Sequence, residues 1–152
     1  MEHLMTAIAA LTFIRTALST ARRGSTVFTV VFKNTGRRFT FRIGTPDKPK
    51  DPDSPPIFVR VLSGPDNTKD FGLYLGRLDR GRWYDGKVSA GADSYKAWKC
   101  LLDRAMSPDG SYPEDRIEIW HAGSCCKCGR RLTVPESIRD GIGPVCAAGG
   151  AD

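Results

Sequence analysis

The stretch STVFTVVFKNTGRRFTFRI, residues 25–43, consists of two runs rich in β-branched and aromatic residues, joined by Asn34, Thr35 and Gly36. A period of two is the signature of a strand with one covered and one open face, and the glycine supplies the conformational freedom that a short hairpin turn needs. On the second run Phe39, Phe41 and Ile43 fall on one side, while Arg38, Thr40 and Arg42 fall on the other. The sheet built from this hairpin is therefore expected to have one greasy face and one basic face.

Working outward, the proline-rich segment 44–56 lacks large apolar side chains and reads as a surface loop, after which IFVRVLS (57–63) resumes the sheet. A turn at Gly64–Asn67 precedes two further strand-like runs, FGLYLGRL (71–78) and RWYDGKV (82–88), whose glycines suggest bulges or tight bends. Asp93 or Ser94 caps a predicted helix through Tyr95, Ala97, Trp98, Leu101, Leu102 and Ala105, spaced at three and four. Its Cys100 reads as a half-buried structural thiol. IEIW (117–120) is the last predicted strand. Ahead of the hairpin, Leu4, Ile8, Leu11, Ile14 and Leu18 recur at helical spacing, predicting an amphipathic helix over residues 3–21 that covers the sheet. The fold class that follows is α+β: an antiparallel β-meander of four or five strands packed with one or two helices, plus a small C-terminal zinc-binding knuckle. The expected organisation is an N-terminal helix over 1–23, a sheet domain over 24–120 and a C-terminal unit over 121–152.

The chain has 152 residues, 40% of them hydrophobic and 26% charged, so wholesale disorder is not expected. A net charge of +6 and a pI near 9.2 favour anionic partners. Much of the excess is local: Lys33, Arg37, Arg38, Arg42, Lys48, Lys50 and Arg60 face only Asp47, Asp51 and Asp53 between residues 24 and 62. An odd number of cysteines, most of them crowded from Cys125 onward, makes a poor disulfide framework and points to a reducing, cytoplasmic setting. The apolar run from Leu4 to Ile14 is too short to span a bilayer.

The run HAGSCCKCGRRLTVPESIRDGIGPVC begins at His121 and places that residue with Cys125, Cys128 and Cys146 at spacings suited to one tetrahedral zinc ion. Two thiolates three residues apart bite one metal, and Gly129 lets the turn close. Thr133 to Glu136 reads as a capping box with Pro135 at the helix start, Gly141 ends that turn, and Gly143 with Pro144 bends the chain back toward the knuckle. His121 is the expected fourth ligand, with Cys126 as competitor and His3 as a remote third choice. Three thiolates and an imidazole form a closed set, which makes the zinc structural rather than catalytic.

In the order HxGxC, CGRxLT, PxSI and GIGPxC, this segment resembles a family of small phage and prophage proteins of unknown function (DUF6011). The resemblance extends to TGRRFTFRI, VLSGPDN and LYLGRL. It implies a metal site at His121, Cys125, Cys128 and Cys146, a mobile-element origin and a place in the cytoplasm of a host bacterium, and it supplies no activity.

Two functions are compatible with this reading. The first is a nucleic-acid-binding module, with Lys33, Arg37, Arg38 and Arg42 from the sheet and Lys127, Arg130 and Arg131 from the knuckle on phosphates, and Tyr74, Trp83 and Tyr84 stacking on bases if exposed. The alternative is a protein-binding inhibitor of a host complex, such as an anti-CRISPR protein, though a basic chain suits an acidic surface better than a basic channel. No arrangement of nucleophile, base and oxyanion donors appears, so neither catalysis nor a small-molecule substrate is expected.

Overall fold

The hairpin forms where its alternation places it, and the rest of the sheet is assembled on both of its sides. The computed structural model describes residues 3–5, 14–15, 25–46, 48, 50–51, 53–62, 71–88, 91–106, 116–121, 123, 125, 130–133 and 135–143. Within these residues the strands are β1 (His3–Leu4), β2 (Ser25–Phe32), β3 (Arg38–Gly44), β4 (Ile57–Val61), β5 (Leu73–Asp79), β6 (Arg82–Asp85) and β7 (Ile117–His121), and the helices are α1 (Asp93–Met106) and α2 (Pro135–Asp140).

The sheet order is β1-β7-β2-β3-β4-β5-β6, and every pairing is antiparallel. The expected meander is thus the five strands β2 to β6. The β2–β3 turn is closed by Gly36 at φ 71° and by the Phe32 N–H bonded to the Arg37 carbonyl at 2.8 Å. IEIW does become a strand, but it returns to the free side of β2, with Val30 opposite Ile119 and Phe28 opposite His121.

One face collects the apolar side chains. Phe28 stands opposite Phe41, Phe41 opposite Val61 and Ile43 opposite Val59, and all five are buried. On this face lies α1, which buries Ala97, Trp98, Leu101, Leu102 and Ala105. Trp98 is fully buried, with its ring 5.7 Å from Phe41 and 5.8 Å from Trp83. A side chain of that size in a sealed position is worth roughly 3–5 kcal/mol against alanine. Cys100 lies away from this buried stripe and is exposed, where half-burial was expected.

At the N-terminus His3 and Leu4 pair with His121 and Trp120 instead of starting a helix, and the Met5 N–H bonds the Ile119 carbonyl at 2.9 Å. The reason is the outer edge of β7, whose unpaired backbone groups compete successfully with helix formation for these residues. Ile14 and Arg15 are helical; Ile14 is buried, and Arg15 donates from Nε to the Ala105 carbonyl at 2.9 Å. The other residues of the helix predicted over 3–21 lie outside the described residues. Cys125, Leu132 and Ile142 belong to the same continuous core cluster as the sheet and α1.

Candidate functional site

The face opposite α1 is built from arginines and aromatic rings. Strand register puts Arg42 directly opposite Arg60, Arg60 opposite Tyr74, Phe58 opposite Arg77 and Arg77 opposite Tyr84. These residues therefore share one face across four neighbouring strands. Strict alternation would put Tyr74 and Arg77 on different faces. A register shift between Val59 and Arg60 makes Leu75 the extra residue on β5, so Leu75 and Gly76 are both buried and Arg77 rejoins Tyr74 outside. Gly76 sits at φ 152°, and a Cβ there would lie 2.3 Å from the Tyr84 carbonyl oxygen, which is why glycine occupies the bulge.

Four of the arginines on this face, Arg42, Arg60, Arg77 and Arg82, rest on rings. The guanidinium carbon of Arg42 is 4.5 Å from the Phe71 centroid, that of Arg60 is 5.3 Å from Tyr74, and that of Arg77 is 4.4 Å from Tyr84. Arg82 approaches Tyr84 at 5.5 Å, and Phe58 packs beside Tyr74 with ring centroids 6.0 Å apart. Stacking on a ring fixes the plane of a guanidinium group and so the directions of its N–H edges. Among the described residues no carboxylate pairs with Arg60, Arg77 or Arg82; the ion pairs there are Lys33–Glu118, Arg37–Asp93, Arg80–Asp51 and Lys99–Asp103. Arginine hydrogen bonds hold two of those carboxyls below the usual carboxylate range, Asp51 by Arg80 and Asp93 by Arg37.

The C-terminal segment is anchored at the end of β7. His121 is 1% exposed and lies on the inner face opposite Phe28. Its Nδ1 accepts the Gly123 N–H at 2.9 Å, and its Nε2 lies against the Ile138 carbonyl oxygen of α2. Accepting at Nδ1 leaves the proton on Nε2, so the ring is the neutral tautomer that donates to Ile138. A metal bound at His121 would have to take the place of one of these two backbone partners.

Two backbone bonds then tie the following residues together: the Leu132 N–H bonds the Gly123 carbonyl at 2.9 Å, and the Cys125 N–H bonds the Arg130 carbonyl at 2.8 Å. Helix α2 follows, stopped at Gly141 with φ 73°, and the chain returns so that the Gly143 N–H donates to Cys125 Sγ at 3.3 Å. Cys125 is buried and its Sγ receives the Gly143 N–H, and cysteine sulfur and histidine nitrogen are donor types that zinc takes. His121 and Cys125 are of the donor types a zinc site uses, and both ring nitrogens of His121 are engaged by backbone groups in this structure. Cys128 and Cys146, with Cys126 and Lys127, lie outside the described residues, and among the described residues no three His, Cys, Asp or Glu side chains gather.

Of the basic residues singled out by sequence, Arg38 and Arg42 lie on the outer face, where β3 register sets them opposite Val31 and Val27. Lys33 reaches Glu118 at 3.9 Å. Arg37 turns the other way, pairing with Asp93 at the start of α1 and covering Phe39 at 5.3 Å. Arg130 and Arg131 are exposed, and the Arg130 carbonyl accepts from the Cys125 N–H. Of the aromatics, Tyr74 and Tyr84 are on the outer face, whereas Trp83 packs inward on Trp98 and donates from Nε1 to Asp85 at 2.8 Å. In the sequence Arg60 counts only toward the basic excess, and Arg77 and Arg82 are not singled out. Alternation in Ile57–Val61 was enough to place Arg60, but Arg77 reaches this face only through the bulge.

Residues 121–149 match the profile of a family of unknown function (DUF6011), so the C-terminal segment is similar to that family over this stretch. The sheet motifs at 35–43, 61–67 and 73–78 lie outside the matched residues. No curated protein and no solved structure matches the chain. Among the described residues no helix is long and apolar enough to cross a membrane.

Proposed function

We propose that this protein is a non-enzymatic nucleic-acid-binding module that works through the outer face of its sheet, with one structural zinc ion on His121, Cys125, Cys128 and Cys146 bracing the C-terminal unit. The observation that carries the reading is the set of stacked guanidinium groups, Arg42 on Phe71, Arg60 on Tyr74 and Arg77 on Tyr84, gathered on one face. Guanidinium edges held in fixed planes match phosphate oxygens, and a net charge of +6 draws a polyanion toward them. Zinc bound at the knuckle supplies folding energy, tying the end of β7 to the returning chain.

The test is fluorescence anisotropy with labelled oligonucleotides between 50 and 200 mM salt. With three to four phosphates neutralised on a single strand, log K against log salt should have a slope of roughly −2 to −3, and the double variant Arg60→Glu/Arg77→Glu should abolish binding for every sequence. Absent or salt-independent binding would overturn the reading. A stoichiometric protein partner that survives nuclease treatment would then favour the inhibitor alternative.

A further inference from the structure

Resting on that reading, we infer that the ligand is single-stranded, laid across the strands of the outer face with its bases stacked on the arginine–tyrosine pairs. Register arranges the face in rows that run perpendicular to the strands: Arg42, Arg60 and Tyr74 form one row, and Phe58, Arg77 and Tyr84 form the next. From β3 to β6 there are three inter-strand steps, a track of roughly 14 Å at about 4.8 Å per step. That is the footprint of a few nucleotides and well short of one duplex turn of about 34 Å.

Shape also argues against a duplex. A major groove admits a helix or a two-stranded ribbon, and reading it requires an element that projects. The described helical contacts lie on the inner face: Trp98 of α1 meets Phe41, and Ile138 of α2 meets His121. The outer face offers planar groups instead. Tyr84 is 37% exposed and carries both Arg77 and Arg82, so ring and guanidinium make a stack that an unpaired base extends. Inside a duplex, base faces are already occupied by their neighbours and have nothing to gain from such a platform. Phosphates and base faces are common to DNA and RNA, so recognition is independent of the sugar.

The experiment is competition against labelled dT12 by unlabelled dT12, rU12 and a 12-bp duplex, with the full-length protein. Single strands of either sugar should compete within about threefold of one another, and the duplex should be at least tenfold weaker. Tyr84→Leu retains every arginine, so it should weaken dT12 by roughly tenfold without changing the salt slope, and Tyr84→Phe should recover most of that affinity. A duplex that competes as well as dT12, or a Tyr84→Leu protein with unaltered affinity, would overturn the single-strand inference while leaving nucleic-acid binding in place. Failure of all three competitors and of dT12 itself to bind would overturn both.

Discussion

Arg42 on β3 and Arg60 on β4 stand directly opposite each other, two cations in one cross-strand pair. Like charges in that position cost a sheet a few tenths to about 1 kcal/mol. Each guanidinium recovers a similar amount by lying on a ring, at 4.5 Å from Phe71 and 5.3 Å from Tyr74. An anion bridging both groups would turn their repulsion into attraction.

The near-cancellation makes a prediction. Arg60→Gln removes the repulsion and the stacking together, so unfolding free energy should move by less than about 0.5 kcal/mol. Oligonucleotide affinity should fall, and the salt slope should become shallower by about 0.7, the share of one phosphate contact on a single strand. Urea denaturation and a salt titration of the same variant check the two halves.

Gly76→Ala should be far more damaging than its size suggests. The added carbon would meet the Tyr84 carbonyl oxygen at 2.3 Å and the Trp83 ring at 2.6 Å, so β6 must move away from β5. Loss of the bulge also turns Arg77 off the outer face. Thermal melting should show a clearly lowered midpoint, with Trp83 fluorescence changed in the folded baseline. An unshifted melt would contradict the described β5–β6 pairing.

Acid should destabilise the fold through Asp85. The Tyr95 hydroxyl donates to it at 2.6 Å and the Trp83 indole N–H at 2.8 Å, and these bonds hold its carboxyl below the usual value of 3.8. A carboxylate whose pKa is depressed by folding contributes stability above its unfolded pKa, and that contribution is lost as pH falls through the folded one. Asp51 and Asp93 are lowered too, chiefly by hydrogen bonds from Arg80 and Arg37. Urea midpoints should therefore be level from neutral pH to about 5 and drop below 3.8, and Asp85→Asn should shrink that drop while lowering the neutral plateau.

For the proposed zinc, elemental analysis should find one ion per chain, and a chelator should lower the melting temperature. Cys125→Ser, Cys128→Ser and Cys146→Ser should lose the metal, whereas Cys126→Ser should keep it. Full occupancy in His121→Ala would assign the fourth position to another residue and leave His121 as the brace between Gly123 and Ile138.

Much of this structure was legible in the sequence where the determinants are local. Alternation in 25–43 gave the hairpin and its two faces, the spacing from Ala97 to Ala105 gave α1, and the Gly141 stop gave the end of α2. What could not be read depends on partners distant in the chain. The strand at His3–Leu4 exists because β7 offers an edge, and β7 lies beside β2 because α1 carries the chain across the inner face. Alternation sets Arg37 on the side of Phe39, but its partner Asp93 stands fifty-six positions later, so the ion pair that takes it away from phosphate contact is not visible locally. Arg77 was hidden by the one-residue bulge at Leu75, which reverses the alternation that strand reading relies on.

The most direct test of the outer-face account is amide chemical-shift mapping of the isotopically labelled protein titrated with dT12. The account predicts that the largest shifts fall on Arg42, Arg60, Tyr74, Arg77 and Tyr84, across β3 to β6, and scale with saturation. Shifts confined to α1, or to the knuckle around Cys125 and Arg130 with the β3–β6 amides unmoved, would contradict it.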